Sequence, residues 1–158
     1  MKKKKLIRIA IILTAAGVLI GGAVGLYMYN KPHRDVQSLR SDFSLTGTQL
    51  VTEYMEDRLA ADNKYLVADG NSKILEVTGM VSKISENYNN LKVVLLKSEG
   101  DAAGVSAGFK TETNHNAENL EIGETITVKG VIRSGASYDE DLGFYENVIL
   151  EKCDIVIQ

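Results

Sequence analysis

An uninterrupted apolar run near the start of the chain limits its possible folds more than any other feature. From Ile9 to Tyr29 the sequence reads IAIILTAAGVLIGGAVGLYMY, 21 residues without a charge. At a rise of about 1.5 Å per residue, a helix of this length spans about 30 Å, the thickness of a hydrocarbon core. The run therefore predicts a transmembrane helix over 9–29, through which the chain would contact a lipid bilayer. Lys2, Lys3, Lys4, Lys5 and Arg8 precede it, and only Lys31 and Arg34 follow closely. The positive-inside rule then places residues 1–8 in the cytoplasm and the body of the chain outside it. Tyr27 and Tyr29 fall where an interfacial aromatic belt belongs.

The competing reading is a cleavable secretory signal, since Ala23, Val24 and Gly25 offer small residues for cleavage. The run is longer than a usual signal core, which favours a retained anchor. Both readings export the body. The single cysteine, Cys153, lies far from the run, so lipid attachment just after it is excluded. Gly17, Gly21 and Gly25 recur four apart, a ridge along which a second helix can approach and through which the chain could form a homodimer. The plainer reading is that glycine is frequent in membrane helices.

Charge divides the chain the same way. Seven of the 18 basic residues and none of the 21 acids lie in 1–34, leaving 11 bases against 21 acids in 35–158. The body thus carries about −10, a field that repels polyanions. One cysteine permits no internal disulfide. A body of this size needs none to bury a core.

Residues 30–45 (NKPHRDVQSLRSDFSL) are polar, contain the only proline and show no sustained period, which predicts a juxtamembrane linker. His33 within it reads as solvated. A helix follows, capped by Thr46 or Thr48, with Leu50, Val51, Tyr54, Met55 and Leu59 forming a one-sided apolar stripe that Ala60 and Ala61 continue. That stripe reads as core. The turn-rich DGNS at 69–72 then breaks the chain.

Beyond it the pattern is that of strands, at 74–86, 91–98, 105–110, 125–134 and 147–157, separated by polar turns and by a loop or short helix at 111–121. Five strands, two of them long, predict a small closed barrel. Gly79 and Gly130 each interrupt a long strand, where glycine marks a bulge or sharp bend. Long, coiled first and fourth strands are what a five-stranded Greek-key barrel needs in order to close. The expected fold is mainly β, a five-stranded OB-fold barrel with an N-terminal amphipathic helix over 46–158, preceded by one transmembrane helix.

Four stretches carry a resemblance to a known family: YNKPHRDV at 29–36, ADNKY at 61–65, ILEVTGMV at 74–81 and ILEKC at 149–153. With them the chain resembles the tRNA_anti-like proteins, named for a likeness to anticodon-binding domains. The NKPHRD run is the most distinctive of the four. The resemblance implies an OB barrel with an N-terminal helix in an anchored or exported protein of Bacteroides-type bacteria; with the apolar run and its flanking charges, the expected location is the inner membrane, single-pass, with an extracytoplasmic domain. It implies no known activity. LVADGNSK between Tyr65 and Ile74 is longer than the family's usual link, and the 137–146 stretch (SYDEDLGFYE) is long and acidic.

For function, a non-catalytic, envelope-anchored binding module is the leading expectation. OB barrels bind extended ligands across one face and its flanking loops. The connector bearing Tyr138, Phe144 and Tyr145 is the candidate contact surface, although rings in such a loop can also simply pin it to the barrel. Their acidic neighbours Asp139, Glu140, Asp141 and Glu146 suit an envelope protein or a glycan better than a polyanion. The alternative is single-stranded nucleic-acid binding, which needs a basic groove with stacking aromatics. The body has no basic run, so nucleic acid is disfavoured. No nucleophile-elbow, phosphate-loop or zinc-protease motif is present, and no enzyme activity is expected. His115 reads as exposed and Cys153 as packed within a strand. Asp139–Asp141 lack the glycine turn and distal glutamate of a calcium loop, so neither metal nor cofactor is expected.

Overall fold

The computed structural model describes residues 2–30, 34–68 and 71–157. They form two compact units, divided after residue 34. The first is one helix, α1 (Lys2–Asn30), whose described side chains are exposed along its length. Its apolar part, 24 residues from Ile7 to Asn30, is long enough to cross a membrane. Gly17, Gly21 and Gly25 all lie on this helix, with nothing packed against them. The linker residues Lys31, Pro32 and His33, and Asp69 and Gly70 of the expected turn, lie outside the described residues.

The second unit is the barrel and its helical preface. In chain order it contains β1 (Phe43–Thr46), α2 (Gly47–Glu56), α3 (Arg58–Tyr65), β2 (Ile74–Glu86), β3 (Lys92–Leu96) and β4 (Val105–Phe109). A 3-10 turn (Asn114–Ala117), β5 (Thr125–Ser134), β6 (Ser137–Asp139), β7 (Phe144–Glu146) and β8 (Val148–Ile155) follow. The strands pair in the order β1-β2-β3-β4-β8-β5, and β5 returns to β2. Five strands therefore close on themselves, β4 and β8 in parallel and the other neighbours antiparallel. This is the OB-fold expected from the strand pattern.

Alternation decides which side chains face in. Val77 and Val81 of β2, Val94 and Leu96 of β3, Val105 and Ala107 of β4, Val128 and Ile132 of β5, and Leu150 and Cys153 of β8 make one buried core. Both interior glycines have steric reasons. A Cβ on Gly130 would lie 2.5 Å from the Cys153 sulfur, and the β5–β8 register slips there, between Lys129 and Val131. On Gly79 it would lie 3.0 Å from the Leu96 Cβ, but the β2 bulge comes two residues later, between Val81 and Lys83. Only the first glycine marks a bulge; the second makes room for a neighbouring side chain.

The helix expected after Thr46 is two helices. Thr46 forms a capping box with Gln49, and Asp57 ends α2 in an extended conformation while its side chain caps α3 through the Ala60 N–H. The change of axis at Asp57 breaks the apolar stripe. Leu50, Val51, Tyr54, Ala61 and Tyr65 are core, whereas Met55, Leu59 and Ala60 are exposed.

The segment read as an unpatterned linker also differs from expectation. Val36 is fully buried, and the Gln37 amide donates to the carbonyls of Lys129 (3.1 Å) and Lys152 (2.7 Å). Asp42 is tied to Ile74 by two hydrogen bonds, and β1 runs parallel to β2. A single buried valine and one amide have no period, so the sequence pattern cannot show that they dock.

Candidate functional site

One open face is the outside of β3, β4 and β8. Register places Lys83, Leu95, Ser106, Ile149 and Ser134 in one row across five strands, with Ser85, Val93 and Gly108 in the row beside it. Paired residues share a face because side chains alternate with a period of two. The middle of the surface is thus small or aliphatic and uncharged.

The β6–β7 hairpin stands at one end. The Asp139 carboxylate accepts from the Asp141 and Leu142 N–H groups, both at 2.9 Å, and Gly143 takes the positive φ that the turn requires. At the hairpin base Ser137 donates to Glu146 at 2.5 Å, and Asn147 Oδ1 accepts from the Gly104 N–H at 2.8 Å. This scaffold holds Tyr138 and Tyr145 as a cross-strand pair, ring centroids 4.8 Å apart, with Phe144 opposite Asp139. The hairpin therefore pairs the two tyrosines and turns Phe144 to its other face, and each ring remains about half exposed at 51%, 50% and 44% for Tyr138, Phe144 and Tyr145. Phe144 and Tyr145 border a shallow cleft of about 280 Å³ with Ser106, Ser134 and Ile149 on its floor.

At the opposite end of β3 lies the turn between β2 and β3. The Asn87 side chain accepts from the Asn89 and Leu91 N–H groups, and Asn90 adopts a positive φ of 58°. This tight turn leaves Tyr88 fully exposed. Sequence reasoning singled out the hairpin aromatics but not Tyr88, Leu95, Ser106 or Ile149. Alternation shows that the last three point outward, yet only register shows that they adjoin.

Most cations around this face are engaged. Lys92 pairs with Glu86 at 2.7 Å, Lys110 lies 3.9 Å from Glu112, and Lys97 donates to the Ala102 carbonyl. Lys83 is exposed, with no bonded partner among the described residues. Cys153 lies under the face, where burial pushes its thiol far above the ordinary range and keeps it from acting as a nucleophile. His115 is exposed. Among the described residues no cluster of three or more metal-ligating side chains occurs.

The fold agrees with a family match that covers residues 1–141. The chain belongs to the tRNA_anti-like family. The match includes Tyr138 and ends inside the hairpin, so Phe144 and Tyr145 lie beyond it. No curated protein matches this tRNA_anti-like chain. Among solved structures it is similar to a Klebsiella pneumoniae protein named, provisionally, a nucleic acid-binding lipoprotein. That likeness has a TM-score of 0.53 at 16% identity and covers 80% of this chain and 100% of the other. At that identity it speaks for the fold.

Proposed function

We propose that this protein is a non-catalytic binding module, tethered to a membrane by α1 with its N-terminus cytoplasmic, whose barrel face takes a neutral glycan strand. The observation that carries the reading is the uncharged Leu95–Ser106–Ile149–Ser134 row, bordered on the hairpin side by the Phe144 and Tyr145 rings. Tyrosine rings offer an apolar face to a sugar ring and a hydroxyl at its edge, while the two serines offer hydrogen bonds along the floor. Binding on this face and through its flanking loops is how OB barrels hold extended ligands. The basic residues Lys2–Lys5 and Arg8 in the first turns of α1 support the orientation.

A second reading, single-stranded nucleic acid, is favoured by Lys83 at the end of the same row and by the name of the Klebsiella structure. The body's charge of about −10 opposes it.

The full chain in detergent micelles, titrated with neutral β-linked oligosaccharides and separately with oligothymidylate, distinguishes the two by amide chemical shifts. We expect oligosaccharide to move the Ser106, Ile149 and Tyr145 signals and Tyr145→Ala to weaken that response at least tenfold. Oligothymidylate should have no effect at about 0.15 M salt, where the Debye length is about 8 Å. Saturable shifts with oligothymidylate alone, abolished by Lys83→Glu, would replace the first reading with the second.

A further inference from the structure

A second surface, sharing no residue with the hairpin cleft, lies along β1. This strand pairs with β2 on one side only. Among the described residues no strand pairs with its other edge; only at Thr46 is the backbone taken, its N–H by the capping Gln49 side chain and its carbonyl by the first turn of α2. A strand edge presents a row of unsatisfied donors and acceptors, which proteins usually cover or blunt. Here it opens onto a groove of about 470 Å³ whose opposite wall is α2, through Thr48, Gln49, Thr52 and Glu53.

The groove is built before anything enters it. Glu53 accepts from Lys64 at 3.0 and 2.7 Å and from the Tyr65 hydroxyl at 2.8 Å, locking α2 to α3. Phe43 meets Tyr65 edge to face at 5.3 Å, and the Lys64 ammonium sits 5.2 and 4.7 Å from the two ring centres. One end is therefore aromatic and fixed, with Leu45 half-buried beside it.

We propose that this groove takes an extended, basic segment of a partner protein, added as a strand along β1. A polypeptide is specified because its main chain supplies alternating donors and acceptors at the spacing of a strand edge, the chemistry of recognition by β-augmentation. An apolar side chain of the segment fills the Phe43–Leu45–Tyr65 end. Charge selects the rest. The groove's one cation, Lys64, is taken by Glu53, and two further acids flank it. Glu56 lies one turn on from Thr52 along the same exposed side of α2, and Asp101 reaches across to accept from Thr48 at 2.9 Å. Lysine or arginine flanks on the segment match those carboxylates, and acidic flanks are repelled.

The test uses the full chain in detergent micelles and three synthetic heptapeptides: RVTVKVR, its acidic counterpart EVTVEVE, and the strand-breaking RVTPKVR. Amide shifts and hydrogen exchange report the site. The basic peptide should shift and protect amides of 43–46, with shifts also along 48–53, at about millimolar concentration, the weak end of specific binding. The acidic peptide should bind at least tenfold more weakly, and the proline peptide should leave β1 unprotected. Thr52→Arg, at an exposed helical position on the groove wall, should lower affinity for the basic peptide at least tenfold while the barrel amides keep their pattern. The proposal fails if the β1 amides stay unperturbed by the basic peptide, if the acidic peptide binds equally, or if the response appears at the hairpin. It also fails if a neutral oligosaccharide, not peptide, protects β1.

Discussion

At the residue scale, Tyr54 and Gly135 are made for each other. A Cβ on Gly135 would collide with the Tyr54 ring, which lies buried between α2 and the barrel. Backbone torsion is not the constraint here, since Gly135 is not in the left-handed region. Gly135→Ala is therefore expected to cost about 3 kcal/mol by overpacking a rigid ring, measured as a lower denaturant midpoint. The Tyr54 hydroxyl is buried without a hydrogen-bond partner among the described residues. Burial, with the charge of nearby Asp62, pushes its ionisation well above the ordinary range, so it stays neutral. Tyr54→Phe keeps the ring and removes an unpaired group. We expect stability unchanged or raised by up to about 1 kcal/mol, and a loss above that would mean that the hydroxyl has a partner in solution.

At the scale of elements, α2 and α3 are short, and the Glu53–Lys64–Tyr65 cluster supplements their packing. Burial raises the Glu53 pKa, but hydrogen bonds from Lys64 and Tyr65 outweigh it and hold the carboxyl below its ordinary value. A depressed carboxylate stabilises the fold above its unfolded pKa, and that contribution disappears as pH falls through the folded pKa. Glu53→Gln should therefore be less stable than the parent near neutral pH, with the gap closing on acidification below the usual carboxylate range. Denaturation series at about pH 7 and about pH 3 check this. The effect is modest because both side chains are partly solvated, at 41% and 38% for Lys64 and Glu53. A gap that persists in acid would assign the loss to packing.

At the scale of the whole molecule, the barrel begins earlier than its strands. The compact unit starts at Asp35, and Val36, Gln37 and Asp42 all bond or pack onto it. A fragment of residues 35–158 should unfold cooperatively. One starting at 43 should be less stable by about 2 kcal/mol or more, from an unburied valine and lost hydrogen bonds. Equal midpoints for the two fragments would mean that the strap does not stabilise the barrel. The tether is tested separately, by protease treatment of spheroplasts carrying the full chain with a C-terminal epitope. Loss of the epitope, with the chain in the membrane fraction, is expected. Protection until lysis would reverse the proposed orientation and remove the location argument against nucleic acid.

The sequence by itself determined the parts that rest on local periodicity. Twenty-one uncharged residues define an apolar helix, alternation defines five strands, and 74–86 and 125–134 are observed with the same bounds. A cap at Thr46 or Thr48 was legible because a capping side chain acts on its own helix, and the structure selects Thr46. Short or solitary signals were not. β1 is four residues long, Val36 is one residue, and Asp57 reads equally well as a helix interior or a cap until the two helix axes are seen. The aromatics of the hairpin were visible as a composition, but their pairing and the floor beside them were not. Ser106 is 43 residues from Ile149 and adjoins it only through register. Tertiary structure decided those neighbours because strand order and bulges fix which outward side chains share a face, and these long-range pairings leave no local period in the chain.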